Sequence, residues 1–323
     1  MSVSAFVPAP RPPGQTEQPA QPGRLAQLGG LLRTAARVFG ANDPLRLGAA
    51  TAFFTSFALP PIIIILVQGV GSLYSTSWVR QHLLTKLSQL LGAPAAGLVA
   101  QIAHNVARAS PNRVVTTLGF GFLLFVATTL FLVIEHSLNQ LWQVRPRHQL
   151  SRTRVAFTER AQAAGVLLAT AALSVLAFGA DALLAVFADA IADFDATLSL
   201  YVVRGLNAGA SLLLLAAWCG FVFRTLSAAH VPWPAARRGA LLTAALIEAG
   251  QWALGHLLVA RDLGPLYGPA ASLVLVLLFV FYSAMIFYFG AAFTYAYAQQ
   301  RGQPIRPRKG AVRYRLVNAV DDD

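Results

Sequence analysis

Glu248 stands about ten residues, roughly 15 Å, into an apolar block that runs from Gly239 to Val259. A carboxylate at that depth in hydrocarbon costs a few kcal/mol, so it calls for a partner, a cavity or a proton. Gln251, Trp252, Gly255 and His256 follow at i+3, i+4, i+7 and i+8, which puts polar and small residues on one helical face. That face is unsuited to lipid. Two readings fit it. In one, Glu248, His256, Gln251 and Trp252 line a polar cavity where the carboxylate meets a substrate or a proton. In the other, Glu248 is protonated or hydrogen-bonded and only fixes helix packing.

Other polar residues interrupt the apolar blocks at their ends. Glu135 and Asn139 stack at i and i+4, with Trp142 one turn beyond, as an interfacial anchor whose carboxylate reaches water or as a functional pair. Asp181 and Arg224 sit near opposite faces of the membrane and snorkel toward the headgroups rather than pair. Pro60 and Pro61 fall mid-block and remove backbone hydrogen bonds, which predicts a kink or an unwound turn and a hinge at that point. Gly205 and Gly209 have the spacing that lets two helices approach closely. The histidines, His82, His104, His136, His148, His230 and His256, are scattered, with no HExxH pair, no Walker glycine loop and no GxSxG elbow. The sequence therefore assigns no catalytic residue, no metal and no cofactor, and predicts no enzyme. The lone Cys219 reads as a small packed hydrophobe.

The elements that hold these residues follow from composition. Only 12% of the 323 residues are charged, against roughly 25% in a soluble domain, and 56% are hydrophobic. The apolar residues lie in blocks long enough to cross about 30 Å of hydrocarbon, giving six spans at 47–70, 116–138, 163–187, 205–226, 239–259 and 270–295. The fold class is all-α: a polytopic helical bundle, with an interfacial helix ahead of it over Arg24 to Phe39 and an external helical hairpin over Ser75 to Ala109. Asn42, Asp43 and Pro44 read as the stop of the interfacial helix and the cap of the first span. Residues 1–23, rich in proline, form a disordered cytosolic tail without the pattern of a cleaved signal peptide; 24–298 form the membrane domain and 299–323 a basic cytosolic tail. Asp189, Asp193 and Asp195 make an acidic external loop.

Cations decide the sidedness. Lys and Arg crowd the segments before the first span, between the second and third (Arg145, Arg147, Arg152, Arg154, Arg160), between the fourth and fifth (Arg237, Arg238) and after the sixth. The other side carries the smaller set Arg80, Lys86, Arg108, Arg113, Arg204 and Arg261, so both termini are placed in the cytoplasm. The net charge of +12 thus points to membrane lipids, with anionic headgroups at the cytoplasmic face, and not to nucleic acid. The sequence leaves room for a homo-oligomer.

The order of motifs resembles the YihY/BrkB family of bacterial inner-membrane proteins. Ala49, Ala50, Thr51, Ala52, Phe53 and Phe54 lead to Leu59, Pro60 and Pro61; Asn139, Leu141 and Trp142 follow the second span; Phe223, Arg224, Val231, Trp233 and Gly239 surround the turn after the fourth. Tyr267, Gly268 and Ser272 precede the last span, which contains Tyr282, Gly290 and Ala291. The resemblance covers about residues 24 to 300 and implies a six-helix, multi-pass protein of the inner membrane. A ribonuclease label that travels with the family finds no nuclease site here. Three residues depart from the family pattern: Ala292 where a glutamate is common, Phe279 where a tryptophan is usual, and Ser227 where a proline is expected. The expected function is a secondary transporter or lipid-flipping protein; the alternative is a membrane scaffold or envelope-integrity protein.

Overall fold

The computed structural model describes residues 24–71, 113–146, 196–257, 271–308 and 310–314, with scattered positions between 97 and 104 and between 165 and 179. Six long helices account for most of them: α1 (Arg24–Gly40), α2 (Pro44–Gly71), α3 (Arg113–Leu141), α4 (Ala196–Thr225), α5 (Trp233–Leu257) and α6 (Ala271–Gln300). α1 covers the segment where an interfacial helix is expected, and α2, α3, α4, α5 and α6 cover the first, second, fourth, fifth and sixth expected spans. Most of the third span, Asp181 included, the acidic loop, the 1–23 tail and nearly all of the hairpin lie outside the described residues. Among the described residues, 205–225 and 273–300 are long and apolar enough to cross a membrane. Large apolar side chains such as Phe53, Phe57, Phe122, Phe125, Leu206, Leu213 and Leu273 are exposed along the helices, a surface suited to lipid and not to water.

Helix ends fall where local chemistry puts them. Asp43 takes a left-handed φ of 50° and its carbonyl accepts the Leu47 amide at 3.2 Å, while Pro44 opens α2 where its missing N–H would have had no helical partner. α2 then runs unbroken through Pro60 and Pro61, so the expected unwound turn is not formed there. α6 ends on Gly302 (φ 65°): the Gly302 amide reaches the Gln299 carbonyl at 3.1 Å and the Gln303 amide reaches the Ala298 carbonyl at 3.0 Å. This Schellman arrangement turns the chain back over the end of the bundle.

α6 is the hub, packing against α1, α2, α3 and α5, while α4 packs on α5 and meets α6 where Trp218 and Phe223 lie against Phe287. Its contact with α5 is reciprocal. A Cβ placed on Gly239 would coincide with Thr294 Oγ1, and a Cβ placed on Gly290 would coincide with Thr243 Oγ1. Each threonine donates to its own helix, Thr243 to the Gly239 carbonyl at 2.7 Å and Thr294 to the Gly290 carbonyl at 2.8 Å, so neither hydroxyl needs water. The close approach expected at Gly205 and Gly209 is not seen among the described residues, none of which lies within 4 Å of a Cβ placed on either. On the other flank of α6, the Thr51 hydroxyl spends its one proton on the Leu47 carbonyl at 2.9 Å, so the Tyr288 hydroxyl 2.6 Å away donates to Thr51 and joins α6 to α2.

Four short strands add to the expected all-α class. β1 (Val144–Pro146) pairs antiparallel with β4 (Ala311–Arg313), and β2 (Ala229–His230) with β3 (Arg306–Pro307). The residues after α6 therefore stitch together the turn after α3 and the turn between α4 and α5. The Arg308 amide adds a bond to the Ala228 carbonyl at 2.9 Å, and the Tyr314 amide one to the Gln143 carbonyl at 3.0 Å.

The α5–α6 crossing generates a direct test. Gly290→Ala should destabilise the detergent-solubilised protein by about 1–3 kcal/mol in thermal melting, the usual range for overpacking. Adding Thr243→Ala removes the obstructing Oγ1 and should recover part of that loss; strictly additive effects would refute the contact.

Candidate functional site

α5 presents Glu248 toward α4, half-buried, where Ser211 donates to Oε1 at 2.6 Å. Gly250, about 200° further round the helix, faces α6 instead, with the Tyr282 hydroxyl in the space a Cβ would fill. Gln251 is half-buried, one turn on from Glu248. Trp252 and His256 belong to α5, but their side chains lie outside the described residues, so the predicted polar face is seen only in its first turn. Ser211 had no signal in the sequence: it is one hydroxyl in an apolar block, and only the pairing of α4 with α5 gives it a role.

A second group of polar residues gathers where the turns and strands meet. Asn139 Oδ1 accepts from the Ser227 hydroxyl at 2.9 Å and from the Ala228 amide at 2.9 Å, and Ser227 Oγ in turn accepts the Ala229 amide at 3.0 Å. One side-chain amide on α3 thus fixes the turn after α4. Trp142 is fully buried, donates its indole N–H to the Ala291 carbonyl of α6 at 3.0 Å, and meets Phe223 edge-on.

Glu135 does not reach water as the anchoring reading expects; it is 3% exposed. Its charge acts on Arg308, which the returning tail places over the end of α4. Arg308 donates to the Arg224 carbonyl, and to the Thr225 carbonyl at 3.5 Å, so it caps the negative end of that helix. Burial and the neighbouring Arg224 cation hold the Arg308 guanidinium below its ordinary pKa, and Glu135 opposes that shift. Arg224 itself is half-buried and stacks over the exposed Trp233 ring at 4.0 Å, in place of a free snorkelling side chain. The sequence had marked the tail as basic without marking Arg308, because its carbonyl partners carry no side-chain signal.

Comparison with known families matches residues 35–315 to the family described as Virulence factor BrkB. Two UPF0761 membrane proteins from strains of Stenotrophomonas maltophilia are each 27% identical over 266 residues, which is 80% of this chain and 59% of theirs. A UPF0761 membrane protein of Chromobacterium violaceum is 26% identical over 302 residues, 91% of this chain and 68% of its own. The chain thus spans about three fifths of the length of the first two relatives. No solved structure matches it.

Removing the acceptor at position 139 isolates the first cluster. Asn139→Leu leaves the Ser227 hydroxyl and the Ala228 amide without their partner, at an expected cost of about 2 kcal/mol read by thermal melting. Arg308→Gln should leave the helices in place but expose the tail after Gly302 to limited proteolysis; an unchanged cleavage pattern would show that the guanidinium does not hold the tail.

Proposed function

The chain belongs to the Virulence factor BrkB family and is a membrane protein, and from that premise we propose that it is a six-span inner-membrane transporter or lipid-flipping protein. Both ends lie in the cytoplasm on this reading. What supports a common side is that the turn after α3, the turn between α4 and α5 and the tail after α6 are hydrogen-bonded to one another. These are three of the segments where positive charge crowds.

The observation that carries the transport reading is Glu248, a half-buried carboxylate inside an apolar helix that, among the described residues, accepts from the Ser211 hydroxyl. A group so placed exchanges a proton or meets a polar substrate with little rearrangement. The polar cavity is formed along the α5 face of Glu248, Gln251, Trp252 and His256, with Pro60 and Pro61 as the hinge of the first span and Asp181 as a secondary polar residue. No nucleotide motif is found, so an ion gradient drives the cycle, and no cofactor or catalytic residue takes part. A second reading, a scaffold without transport, is favoured by the Asn139, Ser227 and Trp142 bonds, which satisfy buried groups between helices.

Proteoliposomes separate the two readings. The unaltered chain should move a fluorescent phospholipid analogue between leaflets under an imposed pH gradient. Glu248→Gln should insert and melt normally yet lose most of that activity. Full activity in the variant removes the carboxylate from the mechanism; no activity in the unaltered chain favours the scaffold. Sidedness has its own test: an impermeant maleimide should label Gln81→Cys in intact spheroplasts, and Ser151→Cys only after the membrane is opened.

A further inference from the structure

A groove of about 760 Å³ opens between α1, α5 and α6, lined by Gln27, Leu28, Leu31, Arg238, Tyr297, Gln300 and Arg301. Its cations are arranged in an unusual way. Arg238 from α5 and Arg301 from just past α6 both lie over the one Tyr297 ring, with guanidinium carbons 4.9 and 5.6 Å from its centroid. Tyr297 is buried and stacked on Phe293, so the ring is a fixed floor. Among the described residues no carboxylate lines the groove and neither arginine forms an ion pair. Two guanidinium groups gathered on one ring repel each other, and an anion between them relieves that repulsion while accepting their forked N–H groups.

We propose that this groove binds the phosphate of an anionic membrane phospholipid. Gln27 and Gln300 are exposed at the groove and add amide donors for phosphate oxygens. Three observations select a lipid over a soluble phosphate. Leu28 lines the groove and is 50% exposed, and Leu32, one turn on, is 42% exposed, so α1 offers apolar surface to acyl chains beside the cationic floor. Trp233, which is exposed under the Arg224 guanidinium, opens the same helix that carries Arg238, as aromatic residues do at headgroup depth. The chain is a membrane protein, so lipid is present at this surface at high local concentration. The proposal concerns a site apart from Glu248 and stands whether or not the protein transports anything.

The full chain in detergent, followed by native mass spectrometry, tests it. Phosphatidylglycerol should be retained in preference to zwitterionic phosphatidylcholine. Arg238→Gln and Arg301→Gln should each weaken that retention about fivefold, the effect of one interfacial cation. Arg237→Gln, an exposed neighbour that does not line the groove, should leave it unchanged. Equal losses for Arg237→Gln, or none for the two groove variants, would replace the site with a diffuse positive field and overturn the proposal. Inorganic phosphate at millimolar concentration should not displace the lipid; displacement would assign the groove to free phosphate. Should a groove variant fail to fold, the unaltered chain still decides, because retention of both lipids alike would refute selection of an anionic headgroup.

Discussion

α5 and α6 lie against each other because Gly239 and Gly290 leave room, each for a threonine of the opposite helix. In lipid there is little hydrophobic gain from bringing two apolar helices together, so close packing has to supply the attraction. The threonines permit that packing to be dry, since each hydroxyl bonds within its own helix. The register of α6 is then fixed. A slip of one residue would turn the helix by 100° and carry Gly290 away from Thr243. Neighbours of Gly290 make the other joints: Tyr288 to Thr51 of α2 and the Ala291 carbonyl to Trp142. One stretch of α6 therefore sets the positions of three other helices.

The same end of the bundle contains backbone groups that no helix satisfies. The last carbonyls of α4 have no partner within the helix, and burial away from water makes them costly. Arg308 meets them, and it can do so only because Gly302 reverses the chain after α6. A guanidinium so placed would itself be costly without a counter-charge, which Glu135 provides from α3. The short strands hold the tail in this position. Backbone pairing, a helix cap and the charge of Glu135 acting on Arg308 thus form one unit around the ends of α3 and α4.

The long helices were legible because lipid imposes a crude and strong requirement, about twenty apolar residues in a row, and composition alone reveals it. The stop at Asn42 to Pro44 was legible as well, since the chemistry that ends α1 and starts α2 is local. Contacts between helices were not. Gly205 and Gly209 had the spacing of a packing motif and make no such contact with the described residues, while the close crossing uses one glycine from each of two helices and leaves no spacing to find. The strands were hidden for a similar reason: two or three residues have no periodicity, and β1 and β4 are far apart in the chain. Of the candidate site, Glu248 was visible as a carboxylate out of place. Its partner Ser211 was not, because a serine costs little in an apolar helix whether or not it is used.

Shape and charge hold α5 in different ways on its two sides. Toward α6 the contact is steric, and no change of pH alters the fit of Thr243 on Gly290. Toward α4 the contact includes a polar joint, the Ser211 hydroxyl donating to Glu248 Oε1. Ala292, two residues past Gly290 in α6, is fully buried and adds to the steric contact region there. On the transport reading this division has a consequence. It would make the α5–α6 pair with the tail behind it the fixed body and the α4–α5 seam around Glu248 the moving part. A moving part built on the Gly290 crossing would have to unpack threonines from glycines, whereas the α4–α5 seam, though closely packed as well, includes at Glu248 a hydrogen bond that can be exchanged.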